Sequence, residues 1–305
     1  MTNYALVLTT TPGHGLPLAA YSQAYSILAA GAHKRQSIEP ASLSAWPAAF
    51  AMEDDETIVR FVERIRAAEQ VASRPIDVNM IPDAPGRRKR LLIADMESTI
   101  IEQEMLDELG DFIGARAHIE EITARAMRGE LDFEAALDER VGLLNGLDAS
   151  VLDEVAGRIT LMPGARALVA TMKAHGAYCA LVSGGFTVFT ARVAKQLGFD
   201  EHRANVLEIA DGKLTGRVER PILGREAKLA ALLELTAKLK LQPSESLAVG
   251  DGANDLAMLG AAGLGVAFRA KPNVREAVSA MPNGAVITHG DLTALLALQG
   301  YPHQE

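Results

Sequence analysis

The chain has 305 residues, 49% of them hydrophobic and 23% charged, a balance that excludes disordered and fibrous classes and gives enough length for two domains. Its formal net charge of -9 argues against nucleic acid, which needs clustered Lys and Arg, but leaves room for a small phosphorylated molecule held by a few local cations. No apolar run approaches the ~20 residues of a membrane span, the N-terminal MTNYALVLTT lacks the basic region of a signal peptide, and Cys179 is the only cysteine, so the sequence predicts a cytoplasmic protein without an intrachain disulfide.

Residues 1–85 read as a separate small domain. Tyr4 to Thr10 predicts a strand and Leu16 to Ala30 a helix. His14, in Pro12-Gly-His-Gly15, reads as a turn residue. The stretch around Trp46 has no clear period. Ile58, Phe61, Val62, Ile65 and Ala68 recur at helical spacing, which predicts a helix over Thr57 to Ala72. Ile76 to Ile81 alternates like a strand. Pro82 to Arg90, PDAPGRRKR, has the composition of a solvated linker; a phosphate-binding patch is the alternative for its four successive basic residues.

Residues 86–305 read as a second domain with a different rhythm. Short apolar runs at Leu91–Ala94, Ala177–Val182, Ser246–Val249 and Gly263–Ala267 alternate with helical segments, the pattern of a parallel sheet covered on both faces. Cys179, inside the second run, reads as a buried structural thiol. Val206 to Val218 alternates around Asp211-Gly212, a hairpin signal. From about 101 to 162 the alternation stops and no strand is convincing. Leu106, Leu109 and Ile113 share one helical face, as do Phe133, Leu137, Val141 and Leu144, with Asp132 as N-cap. A helical insertion here would cap the carboxyl edge of the sheet, where open α/β sheets bind ligands.

Four features fall at the ends of these core elements. Asp95-Met-Glu-Ser-Thr99 comes directly after the first strand. A carboxylate at Asp95 can attack phosphorus, and a second at Glu97 can protonate the leaving oxygen and later activate water. The bland alternative is a helix cap and a solvated glutamate. Ser183-Gly-Gly185 ends the second run, where a hydroxyl and glycine amides at a helix N-terminus can hold phosphate oxygens; it is equally an ordinary turn. Lys228, on a predicted helix, can neutralise a transferring phosphoryl group, although most helix lysines are simply exposed. Gly250-Asp-Gly-Ala-Asn-Asp255 sets two carboxylates and an amide in a glycine-rich loop. Asp251 suits Mg²⁺, with Asp255 supporting it. The spacing is not that of an EF-hand.

In this order and context the four motifs resemble those of the haloacid dehalogenase (HAD-like) hydrolase superfamily. The runs DMESTIIEQEMLDELG, ITARAMRGELDFEAALDERVGLL, LVSGGF, ANVLEIADGKLTG and VGDGANDLAMLGAAGLGVAFRAKP resemble the phosphoserine phosphatase family from about residue 91 to 295. The resemblance implies an α/β fold: a Rossmann-like parallel sheet core with an inserted helical cap. It implies Mg²⁺-dependent hydrolysis of phosphoserine through an aspartyl phosphate, the last step of serine biosynthesis. By residue-wise match Asp95 is similar to the nucleophile and Glu97 to the acid/base. Asp95, the main-chain carbonyl of Glu97, and Asp251 match metal ligands. Ser183, Gly184, Lys228 and Asn254 match phosphate and substrate contacts. In the cap, Glu104 and Arg140 match the residues holding the amino and carboxylate groups, and Met127 and Phe133 match apolar lining.

Chemistry independent of the match agrees, since Arg140 can pair with a carboxylate through two bonds and Glu104 offers the charge for an ammonium; without the match Arg140 reads rather as a surface helix arginine. The family pattern usually has Asp where this chain has Glu97, one methylene longer. The N-terminal β-α-…-α-β layout resembles the α+β ACT domain. An amino-acid sensor and a degenerate dimerisation module both fit, with the second, a homodimer, favoured. Rival functions are another small phosphoester as substrate, phosphoryl transfer to an acceptor alcohol, or an inactive amino-acid-binding regulator.

Overall fold

The computed structural model describes residues 2–29, 33–34, 45–52, 55–127 and 130–301. The N-terminal unit runs β1 (Thr2–Thr10), α1 (Leu18–Ala29), β2 (His33–Lys34), β3 (Ala45–Met52), α2 (Asp55–Ala67), α3 (Glu69–Ala72) and β4 (Ile76–Pro82). Its strands lie in the order β2-β3-β1-β4, all pairs antiparallel, which is the split β-α-β layout of an ACT-like domain. Two of these elements differ from expectation. The helix expected over Thr57 to Ala72 breaks at Ala68, which is extended with ψ 133°. The patternless stretch around Trp46 is β3, whose AWPAAFAM carries a proline and four alanines in place of β-branched residues.

Successive side chains of β1 point to opposite faces. Tyr4, Leu6 and Leu8 pack with Phe61 and Ile65 beneath the helices. Ala5 and Val7, with Ile81, instead join the core of the second domain. The N-terminal sheet is therefore covered on both sides.

The second domain begins with β5 (Leu91–Ala94). The insertion comes next: α4 (Met105–Phe112), α5 (Arg116–Met127), α6 (Phe133–Gly142) and α7 (Val151–Ala156). The core resumes with α8 (Ala165–Ala174), β6 (Tyr178–Phe186), α9 (Thr187–Leu197), β7 (Glu201–Asn205), the hairpin β8 (Leu207–Ala210) and β9 (Lys213–Val218), and α10 (Arg225–Lys238). It ends with β10 (Ser246–Gly250), α11 (Leu256–Ala261), β11 (Leu264–Phe268), α12 (Pro272–Ser279), β12 (Gly284–Ile287) and α13 (Ala294–Leu298). Among the described residues a parallel sheet runs β12-β11-β10-β5-β6-β7. β5 alternates between its two faces, Leu92 and Ala94 on one side, Leu91 and Ile93 on the other. The chain leaves β5 toward β6 and later returns to β10 on the opposite side. That reversal is the switch point where such sheets bind ligands.

The insertion stands on a two-legged stalk. Glu102 N donates to Thr160 O at 3.0 Å, Met162 N donates to Ile100 O at 2.9 Å, and Ile101 bridges Leu161. Asp132 caps α6 by accepting from Ala135 N at 2.7 Å. Cys179 is fully buried, and burial pushes its thiol up to about 12, as suits a structural cysteine. Among the described residues no helix is long and apolar enough to cross a membrane.

The basic run Arg87 to Arg90 is not a fully solvated linker. Arg87 donates from Nε to Leu298 O at 2.8 Å and from Nη2 to Ala297 O at 3.2 Å, and pairs with Asp83. Arg88 reaches Gly300 O at 3.1 Å. These cations satisfy the last carbonyls of α13, where helix carbonyls lack partners and positive charge is favourable.

The two units dock where β4 meets the edge strand β12. Asn79 exchanges two hydrogen bonds with the main chain of Val286, at 2.8 and 3.0 Å. Asp77 accepts from the backbone N–H groups of Thr288, His289 and Gly290, the shortest at 2.8 Å. Asp77→Ala leaves these donors without an acceptor and should destabilise the chain by about 2–3 kcal/mol, with Asn79→Ala costing less. Urea unfolding of the full chain checks this. An unchanged midpoint for Asp77→Ala would show that the seam contributes nothing to stability.

Candidate active site

β5, β6 and β10 lie side by side, so their carboxyl ends deliver Asp95, Ser183 and Asp251 to one edge. Asp95 N donates to Val249 O at 3.0 Å, which fixes the residue beside β10. Lys228 projects from α10 between carboxylates. Its Nζ is 2.8 Å from Asp95 Oδ1 and 2.7 Å from Asp255 Oδ1, and the side chain is 1% exposed. The exposed-lysine reading of the sequence therefore fails. Asp95 Oδ1 also accepts from Met96 N at 2.8 Å. Its Oδ2 has no partner among the described residues. Asp255 spends both oxygens internally, Oδ1 on Lys228 and Oδ2 on Gly252 N. A Cβ at Gly250 would lie 2.3 Å from Asp255 Cγ, so only glycine admits that carboxylate.

Asp95, Asp251 and Asp255 each bring a carboxylate oxygen within 4.8 Å of the others. Three carboxylates face one ammonium in a buried place, which leaves excess negative charge. Burial pushes Asp95 up to about 7, with Asp255 and Asp251 adding to it against the opposing pull of Lys228. Burial and Asp255 likewise push Asp251 up to about 6. Burial works against the Lys228 ammonium, but Asp95 and Asp255 overcome it and keep the lysine above its ordinary value. Hard oxygen donors with a charge deficit fit a divalent cation. Asp255, with both oxygens occupied, suits a supporting place.

Glu97 turns back under the cap. Its Oε1 accepts from Met105 N at 2.9 Å, and Oε2 lies so close to Gly185 that a Cβ there would be 2.8 Å away. Burial first, then the neighbouring Glu104, push Glu97 up to about 8. Glu104 is exposed and accepts from Ser98 Oγ at 2.7 Å. A cleft of about 150 Å³ joins eight of the residues singled out from sequence, Asp95, Glu97, Glu104, Phe133, Arg140, Gly184, Asp251 and Asn254, while Ser183, Lys228 and Asp255 are buried and do not line it. The Phe133 ring covers Gly184 and Gly224.

Arg140 enters the cleft from α6. Its Nε donates to Ala136 O at 3.0 Å, and Nη1 reaches Thr123 Oγ1 at 3.5 Å. Among the described residues Nη2 has no partner, and no carboxylate lies within ion-pair distance of the guanidinium. Burial pushes Arg140 below its ordinary value; Glu97, Asp107 and Glu104 oppose that from further off.

One expectation is corrected. Ser183-Gly-Gly185 does not open a helix. β6 continues through it to Phe186 with a shift of register against β7, and α9 starts only at Thr187. Ser183 Oγ is fully buried and accepts from Gly185 N at 3.0 Å. Met127 ends α5, and its side chain lies outside the described residues. Sequence reasoning missed Asp107 and Lys271, which line the cleft, and Asn205, which braces Gly184 O at 2.8 Å. Asp107 stands in the first turn of α4, three residues after Glu104, which precedes the helix with extended backbone. Asn205 carries no local signal.

The family model for haloacid dehalogenase-like hydrolases matches residues 92–260. The chain belongs to the haloacid dehalogenase-like hydrolases. A phosphoserine phosphatase of Streptomyces coelicolor is 47% identical over 221 residues, 72% of this chain and 54% of that protein. The chain thus spans about half the length of that relative. A haloacid dehalogenase family hydrolase from Salmonella enterica serovar Typhi matches over 98% of both chains with a TM-score of 0.82 and 29% identity. A phosphoserine phosphatase solved as an analogue of its phospho-aspartyl intermediate matches 68% of this chain and 98% of its own, with 36% identity and a TM-score of 0.63. These likenesses place the chain in the phosphoserine phosphatase family of the haloacid dehalogenase-like hydrolases.

The raised Glu97 carboxyl makes stability depend on pH. In the unfolded chain it titrates near its ordinary 4.5, and in the folded chain near 8. Between those values the folded state keeps a proton that the unfolded state has lost, so stability falls as pH rises and levels off above the folded value. Asp95 and Asp251 act in the same sense. In metal-free protein under a chelator, melting temperatures from pH 5 to 8.5 should fall less steeply for Glu97→Gln than for the parent. Parallel curves would mean that Glu97 is not held protonated.

Proposed function

We propose that the chain is a magnesium-dependent phosphomonoesterase that converts O-phosphoserine and water to serine and phosphate through a phosphorylated Asp95. Arg140 carries the substrate reading. It is a cation in an acidic cleft, without an anionic partner in ion-pair distance among the described residues, on the cap side of the reacting carboxylate. A substrate with a carboxylate completes it. Glu104, exposed at the same cleft, supplies the opposite charge for an ammonium.

Asp95 Oδ2 has no partner among the described residues, while Oδ1 is held by Lys228 and Met96 N, so Oδ2 is the attacking oxygen. The P–O bond to serine breaks as the bond to Asp95 forms. Glu97, protonated in the folded chain, gives its proton to the leaving oxygen. Its carboxylate then takes a proton from the water that attacks the aspartyl phosphate and releases phosphate. Lys228, Ser183, Asn254 and the main chain at Gly184 hold the phosphoryl oxygens. Asp95, the Glu97 carbonyl and Asp251 would hold Mg²⁺, which supplies positive charge to the transferring phosphoryl group and keeps Asp95 ionised. Phe133 closes the cleft against water. The phospho-aspartyl analogue solved for a relative supports the covalent step.

A phosphate-release screen over small phosphoesters tests the reading. Phosphoserine should give the highest kcat/KM, EDTA should abolish release, and Mg²⁺ should restore it. Full activity after rigorous chelation, or a clear preference for esters without a carboxylate, would overturn it.

The cap residue has its own signature. Losing one partner of a buried charge pair costs about 2–5 kcal/mol. Arg140→Ala should lower kcat/KM for phosphoserine by roughly thirty-fold or more. Phosphoethanolamine, which lacks the carboxylate, should lose much less. Equal losses would show that Arg140 does not read the carboxylate.

A further inference from the structure

A second cleft, of about 340 Å³, opens along the seam between the two units and shares no lining residue with the catalytic cleft. Its floor is the junction of β4 with β12. Arg66 on α2 and Arg74 just after α3 line one wall, and Arg275 and Ser279 on α12 the other. Arg275 and Ser279 are four residues apart and so share a helix face. Three arginines, two from the N-terminal unit and one from α12, thus line one space.

Asp77 and Glu63 partly offset the charge of Arg66, and Asp77 is shared with the main-chain N–H groups of Thr288 to Gly290, but three arginines still outnumber the two carboxylates that line the cleft. Glu276 is exposed on α12. The Arg275 side chain makes no hydrogen bond or ion pair among the described residues. Arg66 uses one nitrogen on Val78 O, and Arg74 uses one nitrogen on Gln70 and Ser73. A guanidinium has five donors, so most remain for a ligand. A water occupies about 30 Å³ of liquid, so the space is larger than one orthophosphate needs.

We propose that this cleft binds a small multivalent anion, a phosphate ester or a polycarboxylate, that bridges Arg66 and Arg74 of the N-terminal unit to Arg275 of the phosphatase domain. A monoanion engages one wall only; two charged ends reach both. A ligand held by both units stabilises their docked arrangement by mass action.

The test is thermal unfolding of the full chain in EDTA, titrated with citrate, pyrophosphate or orthophosphate against sodium chloride of matched ionic strength. Citrate or pyrophosphate should raise the melting temperature saturably at millimolar concentration, and orthophosphate less. Arg275→Gln removes a guanidinium that has no partner among the described residues. It should leave the ligand-free melting temperature unchanged and weaken the apparent Kd about ten-fold or more, the loss expected for one charge-assisted contact. A response to citrate alone marks a polycarboxylate site, and one to pyrophosphate alone a phosphate site. A rise that tracks ionic strength only overturns the proposal. So does an Arg275→Gln variant that titrates like the parent, or a response lost instead in Arg140→Ala, which would put the anion in the catalytic cleft.

Discussion

The buried Lys228 between Asp95 and Asp255 is the constraint around which the site is built. An ammonium 1% exposed is tolerable only because two carboxylates meet it at 2.8 and 2.7 Å. One carboxylate follows the end of β5 and the other stands at the start of α11 beyond β10, and the lysine comes from a helix that packs on the same sheet. Removing the lysine would leave like charges buried together; removing either aspartate would leave the lysine a single carboxylate partner. The fold of the sheet and the charge balance of the site are thus one problem. The arrangement remains short of positive charge, a deficit that one divalent cation would make good.

That shortage also explains how two carboxyl groups two residues apart take different roles in the proposed reaction. Asp95 is locked to a cation and a backbone N–H, which favour its ionised form once a metal joins them. Glu97 is turned away toward Met105 N and Gly185, and burial together with the neighbouring Glu104 favours its protonated form over the opposing hydrogen bond from Met105 N. The extra methylene of Glu97 lets its carboxyl end reach Gly185, where a Cβ would collide with it. Nucleophile and proton donor are separated by environment, not by residue type.

Much of this was legible in the sequence because β5, β6 and β10 are continuous apolar runs, and the residue that ends such a run stands at the carboxyl edge. Asp95, Ser183 and Asp251 could be placed on that ground alone. Lys228 could not. Its helix reads as a surface helix, and the partner that buries it, Asp255, lies 27 residues away. Arg87 posed the same difficulty, since its partners are carbonyls of α13 more than two hundred residues on. β7, EHRAN, is polar because it is an edge strand, and β3 is alanine-rich; neither carries a period. The extension of β6 through Ser183-Gly-Gly185 depends on pairing Phe186 with Asn205, which no local pattern encodes.

The stalk of the insertion returns to its own starting point, with Ile101 bridged to Leu161 and hydrogen bonds on either side. A segment whose ends already touch asks almost nothing of the sheet beneath it, because the closure entropy is met locally and grows only slowly with length. The helices above the stalk can therefore be exchanged, lengthened or reshaped while Asp95, Lys228 and Asp251 keep their places. Such a molecule is divided into a heritable engine and an interchangeable reader. In the proposed reaction Arg140 and Phe133 belong to the reader, so a shift in which ester is recognised would call for changes in the cap.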